Sequence, residues 1–291
     1  MSGVAAPRSA TGKIMLSRDD WMVRGLLVLY AGFFLVALVV PLYLMVSRSF
    51  KDSAGNFIGL DNYLLYFQTP ALSNSISNSF FVAAVSTTIV IAVAFVYAYA
   101  LTRTCVRFKG FFKIMAMVPL LSPSLLKAIA LIYWFGNQGV LKDLLMGHSI
   151  YGPIGIIMGS VFWTFPHAVL MISTDLAISD MRLYEAADIL KAGKVRTFFT
   201  VTLPGARYGL ISATIVVFIL IFTDFGVPKV IGGNYNVLAT DIYKEVIGQQ
   251  NFEMGAVVSV VLLIPAVLAF GIDRFVTRKQ TALLSARAVP Y

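Results

Sequence analysis

The stretch DMRLYEAADILKAGKVRTFFTVTLP, residues 180–204, is a long polar segment with helical order between two hydrophobic spans. Apolar residues in its first half follow the i, i+3, i+4, i+7 spacing of one helix face, and they are Leu183, Ala186, Ala187 and Leu190. The other side takes the charged residues Arg182, Glu185, Asp188 and Lys191. This pattern predicts a short amphipathic helix outside the lipid-spanning part of the chain.

Cap residues define the ends of this predicted helix. Asp180 can accept a hydrogen bond from a free backbone N–H at the N-terminus, and Gly193 is expected to end the helix in a left-handed turn. A second short helix follows, with the periodic residues Val195, Phe198, Phe199 and Thr202. Pro204 must stop or bend that helix, because proline lacks a backbone donor. The segment therefore predicts a helix-turn-helix on a membrane surface.

The composition indicates a polytopic membrane protein. Hydrophobic residues make up 58% of the 291 residues and charged residues only 13%, whereas about a quarter of a soluble protein is charged. The net charge of +9 follows the predicted topology, so it does not indicate nucleic acid binding. The single cysteine, Cys105, excludes an internal disulfide and a cysteine metal cluster.

Six apolar stretches are predicted to span the membrane. The first, 25–46, has 22 uncharged residues, enough to cross a bilayer, and it lacks the short core and cleavage site of a signal peptide. The third is interrupted by Pro119 and Pro123, and broken helices are tolerated where they line a cavity or pack against protein. The other stretches are 76–101, 114–135 (the interrupted one), 152–174, 208–227 and 254–272.

The distribution of Lys and Arg predicts the orientation. With the N-terminus inside, most of the 23 basic residues fall in the N-terminal segment, in the 103–113 loop, in the 182–207 loop and in the tail. The positive-inside rule therefore favours six spans with both termini in the cytoplasm. We expect a cytoplasmic segment 1–24, a transmembrane domain 25–275 with a cytoplasmic loop 177–207, and a cytoplasmic tail 276–291.

The run Glu185-Ala186-Ala187, then Gly193, then Thr202-Leu203-Pro204 resembles the EAA loop in permease subunits of type I binding-protein-dependent ABC importers. That loop is the cytoplasmic element that seats in a groove on the ATPase. The family has a glycine four residues after the second alanine, whereas this chain has Lys191 there and Gly193 two residues later. The alternative is an amphipathic helix that lies on lipid headgroups.

The resemblance implies an all-α permease fold of six transmembrane helices with a family core at about 72–275. It assigns ATPase coupling to one group of residues: Glu185, Ala186, Ala187, Leu190, Lys191, Gly193 and Pro204. It implies no cofactor in this chain, because a partner ABC ATPase dimer binds ATP and Mg²⁺. The other implied partners are a second permease subunit, identical or not, a solute-binding protein and lipid of the bacterial inner membrane. One docking loop per chain implies that this chain is half of a transporter.

A membrane-embedded enzyme is the rival class. The sequence has no Gly-x-x-x-x-Gly-Lys-Ser/Thr loop, no His-Glu-x-x-His motif and only two histidines, so it is not expected to be an enzyme. The charged residues within the predicted spans are Lys127 and Asp224, and the one histidine there is His167. Such residues are typical of translocation pathways. Lys127 and Asp224 have opposite charges at similar depth, so they either pair or act separately, with Asp224 as an interfacial anchor.

The solute is predicted only by resemblance. The run Asp224-Phe225-Gly226-Val227-Pro228 and the segment 231–243 resemble a branch of these permeases that handles ferric iron, sulfate, polyamines, thiamine and phosphonates. The amino-acid sequence of residues 205–265 looks most similar to the 2-aminoethylphosphonate members of this branch. We therefore expect an importer for 2-aminoethylphosphonate, with the other solutes of the branch as alternatives. A membrane scaffold that docks a partner without transport is a further alternative.

Overall fold

The structure is a computed structural model that describes residues 18–283, with side chains described for 19–278. The chain divides into two compact units, Met1–Arg48 and Ser49–Tyr291. Most of the predicted cytoplasmic segment 1–24 and the second half of the predicted tail 276–291 lie outside the described residues.

The first unit contains one long apolar helix, α1 (Asp19–Arg48), with a π-helical turn at Leu35–Val39. It confirms the first predicted span and extends it at both ends. Its side chains from residue 19 to residue 44 are exposed within the unit. A helix that is apolar on all sides is stable only when lipid or other protein covers it. The helix therefore has the character of a membrane span.

The second unit is a helical bundle around two long helices, α3 and α6. In chain order its helices are α2 (Asp61–Gln68), α3 (Pro70–Arg103), α4 (Lys109–Met117), α5 (Ser124–Phe135), α6 (Pro153–Ala177), α7 (Met181–Ile189), α8 (Lys194–Gly205), α9 (Arg207–Phe222), α10 (Gly226–Ile231), α11 (Leu238–Tyr243) and α12 (Phe252–Leu283). Of the described residues, four helices, α1, α3, α6 and α12, are long and apolar enough to cross a membrane. The total is six if each of two bent pairs is counted as one span.

Small residues allow the helices of the bundle to pack closely. The buried face of α3 carries Ser75, Ser79, Ala83, Val90, Ala94 and Ala98. On α6, a Cβ atom added to Gly159 would lie 2.6 Å from Cγ1 of Val227, which is closer than van der Waals contact permits. Because lipid supplies no hydrophobic driving force between helices, membrane helices associate through such close contacts. The bundle core is therefore built on short side chains.

The third predicted span is two helices rather than one interrupted helix. Lys109–Leu121, which ends in a 3₁₀ turn, and Ser124–Phe135 meet at an angle of 102°. Ser122 is extended, with φ −119° and ψ 146°, because the residue before a proline is disfavoured in the helical region. Pro123 therefore turns the chain at this point, and α4 and α5 form a broken span or a re-entrant loop.

The last two spans differ from their predicted limits. The fifth was expected to extend to residue 227, but α9 ends at Phe222. The carboxylate of Asp224 accepts hydrogen bonds from the backbone N–H groups of Gly226 and Val227, so it starts the next helix instead of continuing the previous one. The sixth was expected to end at 272, but α12 continues through Pro265 to Leu283.

Candidate coupling and translocation sites

The N-terminus of α7 has the predicted cap. The side chain of Asp180 accepts a hydrogen bond of 3.1 Å from the backbone N–H of Arg182. Asp180 itself is extended, with φ −69° and ψ 117°, as an N-cap residue requires. This contact confirms the predicted start of the helix.

The C-terminus of α7 corrects the prediction for Gly193. Gly193 is extended, with φ −64° and ψ 155°, and the left-handed residue is Lys191, with φ 52°. The N–H of Lys191 donates to the carbonyl of Asp188, and the N–H of Ala192 donates to the carbonyl of Ala187, both at 2.9 Å. These two bonds form a Schellman-type motif, whose left-handed position is usually glycine. The turn thus lies at the position where the resembled family has its glycine.

Arg103 and Tyr184 hold α7 against the bundle. The guanidinium carbon of Arg103 lies 4.4 Å from the ring centroid of Tyr184, and Nη2 of Arg103 donates to the carbonyl of Leu176 at 2.7 Å. The hydroxyl of Tyr184 is 3.2 Å from Oγ1 of Thr202. Contacts from these two residues therefore link α7 to α3, α6 and α8. Sequence reasoning missed both, although a basic residue at the end of a predicted span facing a polar loop was a usable signal.

The apolar residues of α7 do not share one environment. Ala187 is buried, with 8% of its surface exposed, whereas Leu183 and Leu190 are 54% and 80% exposed. The predicted single face is therefore wrong for Ala187. We call five of the exposed side chains of α7 and its C-cap, namely Leu183, Glu185, Ala186, Ile189 and Leu190, the docking face. Val195 and Phe199 of α8 are exposed as well, and exposed apolar patches mark interaction sites.

Pro204 lies in the last turn of α8, and the chain bends after it. The helix reaches Gly205 and the following α9 is inclined to it by 60°. A π-helical turn at Phe198–Thr202 precedes the proline. The predicted stop or bend near Pro204 is therefore confirmed, and the break lies at Ala206, two residues after the proline.

Two of the three predicted pathway residues, Lys127 and His167, lie beside the side chain of Trp163 on α6. Lys127 is only 5% exposed, and its Nζ lies 5.8 Å from the Trp163 ring centroid. The ring of His167 meets the same tryptophan edge to face at 5.5 Å between centroids. Asp224 is near enough to Lys127 for the two charges to interact. Trp163 was not identified from the sequence, because an aromatic residue in an apolar span gives no distinguishing signal.

Asp224 takes its hydrogen bonds from Ser124 and the backbone. Oγ of Ser124 donates to Oδ1 of Asp224 at 2.9 Å, and the N–H of Val227 donates to Oδ2 at 3.0 Å. Ser124 lies on α5, one turn before Lys127. The carboxylate therefore joins α5 to α10, and the direct Lys127–Asp224 pair stays a prediction.

Segment 236–245 is fastened to the N-terminal part of α3. Oγ of Ser75 hydrogen-bonds the carboxylate of Asp241, and Ser79 accepts from the N–H of Leu238 at 2.9 Å. Burial raises the pKa of Asp241 above its ordinary value, although the hydrogen bond from Ser75 opposes this. Burial, and then the charge of Asp241, also raise the pKa of Glu245. This part of the structure therefore contains two neighbouring buried carboxyl groups.

Comparison with known proteins identifies the family. Residues 100–281, more than half of the chain, match the model of the family described as binding-protein-dependent transport system inner membrane component. The chain belongs to this family. Family members are permeases of ABC importers and not enzymes, so the alternative of a membrane-embedded enzyme is excluded.

Curated relatives in this family transport different solutes. A ferric transport system permease of Actinobacillus pleuropneumoniae is 28% identical over 209 residues, which is 68% of this chain and 30% of the relative. A spermidine/putrescine transport system permease of Haemophilus influenzae is 25% identical over 78% of this chain and 84% of the relative. A molybdenum transport system permease of Azotobacter vinelandii is 32% identical over 52% of this chain and 69% of the relative. This chain thus spans about 30% of the length of the ferric permease.

Solved structures confirm the permease fold. A bacterial ABC transporter that imports alginate has a chain with a TM-score of 0.70 and 15% identity, over 92% of this chain and 98% of the other. An inward-facing methionine ABC transporter gives a TM-score of 0.62 and 18% identity, over 72% of this chain and 95% of the other. At these identities the comparison shows the fold alone. The all-α importer permease fold expected from the sequence is therefore confirmed.

Proposed function

We propose that this chain is one permease half of an ATP-driven importer in a bacterial inner membrane and that the docking face of α7 seats on a separate ATPase. The observation that carries the proposal is the docking face itself. It exposes Ile189 and Leu190 to about 80% on a helix whose other side is anchored to the bundle. A lone helix on headgroups would not need that anchor. A protein partner would cover this apolar surface and meet the carboxylate of Glu185.

The anchor of α7 supplies a route for mechanical coupling. The Schellman-type turn and the Arg103–Tyr184–Thr202 contacts make α7, α8 and the end of α3 one connected body. Closure of an ATPase dimer around ATP and Mg²⁺ would move this body and bias the spans between inward-facing and outward-facing states. A second permease subunit, identical or not, completes the pathway, and a solute-binding protein delivers the solute. No covalent chemistry occurs in this chain.

We propose 2-aminoethylphosphonate as the first candidate solute. It carries an amine and a phosphonate, and the predicted pathway residues include the ammonium of Lys127 and the carboxylate of Asp224. Ferric iron and polyamines are the strongest alternatives because ferric and spermidine/putrescine permeases are among the relatives. Thiamine and sulfate remain alternatives from the resemblance.

The experiment that tests coupling is Glu185→Lys in the assembled transporter. Reversal of this exposed charge is expected to reduce copurification of the ATPase and solute uptake while membrane insertion is unchanged. Asp143→Lys, at an exposed site in another loop, is the matched control and should behave as wild type. Wild-type copurification and uptake in Glu185→Lys would remove Glu185 from the coupling role.

Solute identity is tested by uptake in a strain deleted for the chain. Radiolabelled 2-aminoethylphosphonate, ferric iron, spermidine, thiamine and sulfate are compared with and without the restored gene. ATP-dependent uptake of 2-aminoethylphosphonate alone supports the proposal, and uptake of another solute replaces it. If the ATPase copurifies but no solute moves, the scaffold alternative is favoured instead.

A further inference from the structure

A groove of about 340 Å³ opens between the end of α3, the helix α4 and the C-terminal half of α6. Its wall is mainly apolar and includes Leu101, Met117 and Val169. The volume lies within the range of about 300–1,000 Å³ that is typical of ligand sites. None of its lining residues belongs to the docking face or to the group around Trp163.

Two lysines line this apolar groove. Lys109 and Lys113 stand one turn apart on α4, so their side chains share one face, and both are exposed. Neither makes a hydrogen bond or an ion pair with a residue in the described part of the chain. Like charges at this spacing repel each other, and a bound anion would relieve that repulsion.

Polar and apolar features around the lysines suit a ligand with a charged head and an apolar tail. The hydroxyl oxygen of Ser173, also in the lining, is buried and has no hydrogen-bond partner within residues 19–278. Beside the groove, α4 exposes Phe111 and Ile114 to 60% and 68%. A short helix that presents lysines and large apolar side chains together is typical of the membrane–water interface.

The groove lies at the same end of the bundle as the docking face. One of its residues, Thr102, precedes Arg103, which packs on Tyr184 of α7. Another, Ile178, lies directly between α6 and α7. With the predicted orientation this end faces the cytoplasm, where the leaflet is rich in anionic lipid.

We propose that this groove binds one anionic phospholipid, with its phosphate between Lys109 and Lys113 and an acyl chain along the apolar wall. Basic pockets between membrane helices on the cytoplasmic side recognise such headgroups. A bound lipid would contact the end of α3, α4 and the C-terminal half of α6 at once. It would therefore hold α4 in place against the end of α6 that leads into α7. Lipid binding at this groove is independent of the identity of the solute and of the ATPase.

The test is lipid retention by the full-length chain in neutral detergent, measured by native mass spectrometry. The wild type is expected to retain phosphatidylglycerol in preference to phosphatidylcholine. Loss of one lysine should lower phosphatidylglycerol retention roughly fivefold, and Lys109→Gln with Lys113→Gln should lower it further. Arg107→Gln removes a charge from the same loop at a residue outside the lining, so it should leave retention unchanged.

A neutral variant keeps the test independent of charge. A Cβ atom at Gly110, which lines the groove, would meet no atom within 4 Å, so Gly110→Leu adds bulk without a backbone clash and should lower retention. If the double lysine variant does not fold, Lys113→Gln and Gly110→Leu decide the result. Equal retention of both lipids by the wild type overturns the proposal. So does unchanged retention in the folded variants, or displacement of the lipid by millimolar inorganic phosphate, which would indicate a site for a free anion.

Discussion

Lys191 illustrates how a single residue adapts the end of a helix. It occupies a left-handed position at φ 52° that glycine adopts without steric strain. The two hydrogen bonds of the Schellman-type motif hold it there. The departure from the family's glycine therefore keeps the backbone turn and changes only the side chain.

We predict that Lys191→Gly stabilises the loop by about 1 kcal/mol, because it removes the steric strain of a left-handed L-residue. Gly193→Ala is the control and should be nearly neutral, since Gly193 is extended and its added Cβ would meet no atom within 4 Å. Thermal unfolding of both variants measures the effect. The reverse ranking would mean that Gly193 supplies the left-handed turn after all.

Lys127 and Asp224 give a second prediction for single residues. Asp224→Asn and Lys127→Met should each reduce folded yield or uptake, because each leaves a charge in a largely buried site, at a cost of about 3 kcal/mol. The double variant should recover part of the loss, and the coupling energy of the cycle measures the interaction. Purely additive losses would show that Asp224 does not interact with Lys127 and that its role is limited to its hydrogen bonds with Ser124 and the start of α10.

Asp241 and Glu245 predict a pH dependence of stability. Their pKa values are raised in the folded protein above the ordinary 3.8 of Asp241 and 4.5 of Glu245, so the folded state binds protons that the unfolded state has released. Stability therefore rises as the pH falls from above the raised pKa values toward the ordinary ones. Asp241 accepts a hydrogen bond from Ser75 and interacts electrostatically with Tyr66, Lys244 and Glu245. Only the Lys244 charge and the Ser75 hydrogen bond oppose the shift among these described neighbours.

The measurement is the midpoint of thermal unfolding as the pH is raised from near the ordinary carboxyl pKa values, because the contribution of these two groups is lost as they ionise in the folded protein. Asp241→Asn keeps an oxygen for the Ser75 hydrogen bond and should flatten the dependence. Asp52→Asn is the control, because Asp52 is exposed and hydrogen bonds from Asn56 lower its pKa. An unchanged slope in Asp241→Asn would show that Asp241 does not contribute to the pH dependence.

At the scale of elements, α5, α6 and α10 pack together, so that Lys127 lies beside Trp163 and Ser124 contacts Asp224. Gly159 faces Val227, which is fully buried. Gly155, one turn away on α6, faces Ile231 in the same way, and an added Cβ there would also clash. The two glycines explain how a short helix packs closely against a membrane helix.

Gly159→Ala is expected to destabilise the bundle by roughly 1–3 kcal/mol, because its Cβ would force α6 and α10 apart. Val227→Ala in the same chain removes the opposing methyl groups and should restore part of the stability. Unfolding midpoints of the two single variants and the double variant test this. If the losses of stability in the two single variants simply add in the double variant, the Gly159–Val227 contact does not limit how closely α6 and α10 pack.

At the scale of the whole molecule, orientation remains a prediction from the positive-inside rule. Cys105 is the single cysteine of the sequence and is exposed in the loop between α3 and α4. With the N-terminus inside, a membrane-impermeant maleimide should label Cys105 only after cells are permeabilised. Cys105→Ser combined with Ser149→Cys, in the loop before α6, should be labelled in intact cells. The opposite pattern would invert the topology.

The sequence determined the membrane class, the amphipathic segment 180–204 and the Asp180 cap, because composition, 3.6-residue periodicity and capping are local properties. Its family resemblance also indicated the importer class. The tertiary structure decided where the helices break, which residue takes the left-handed turn, and that Ala187 is buried while Leu190 is exposed. It also brought Lys127 and His167 together beside Trp163. These features depend on contacts between residues far apart in the chain, such as Gly159 with Val227 and Arg103 with Tyr184, and local patterns do not encode such contacts.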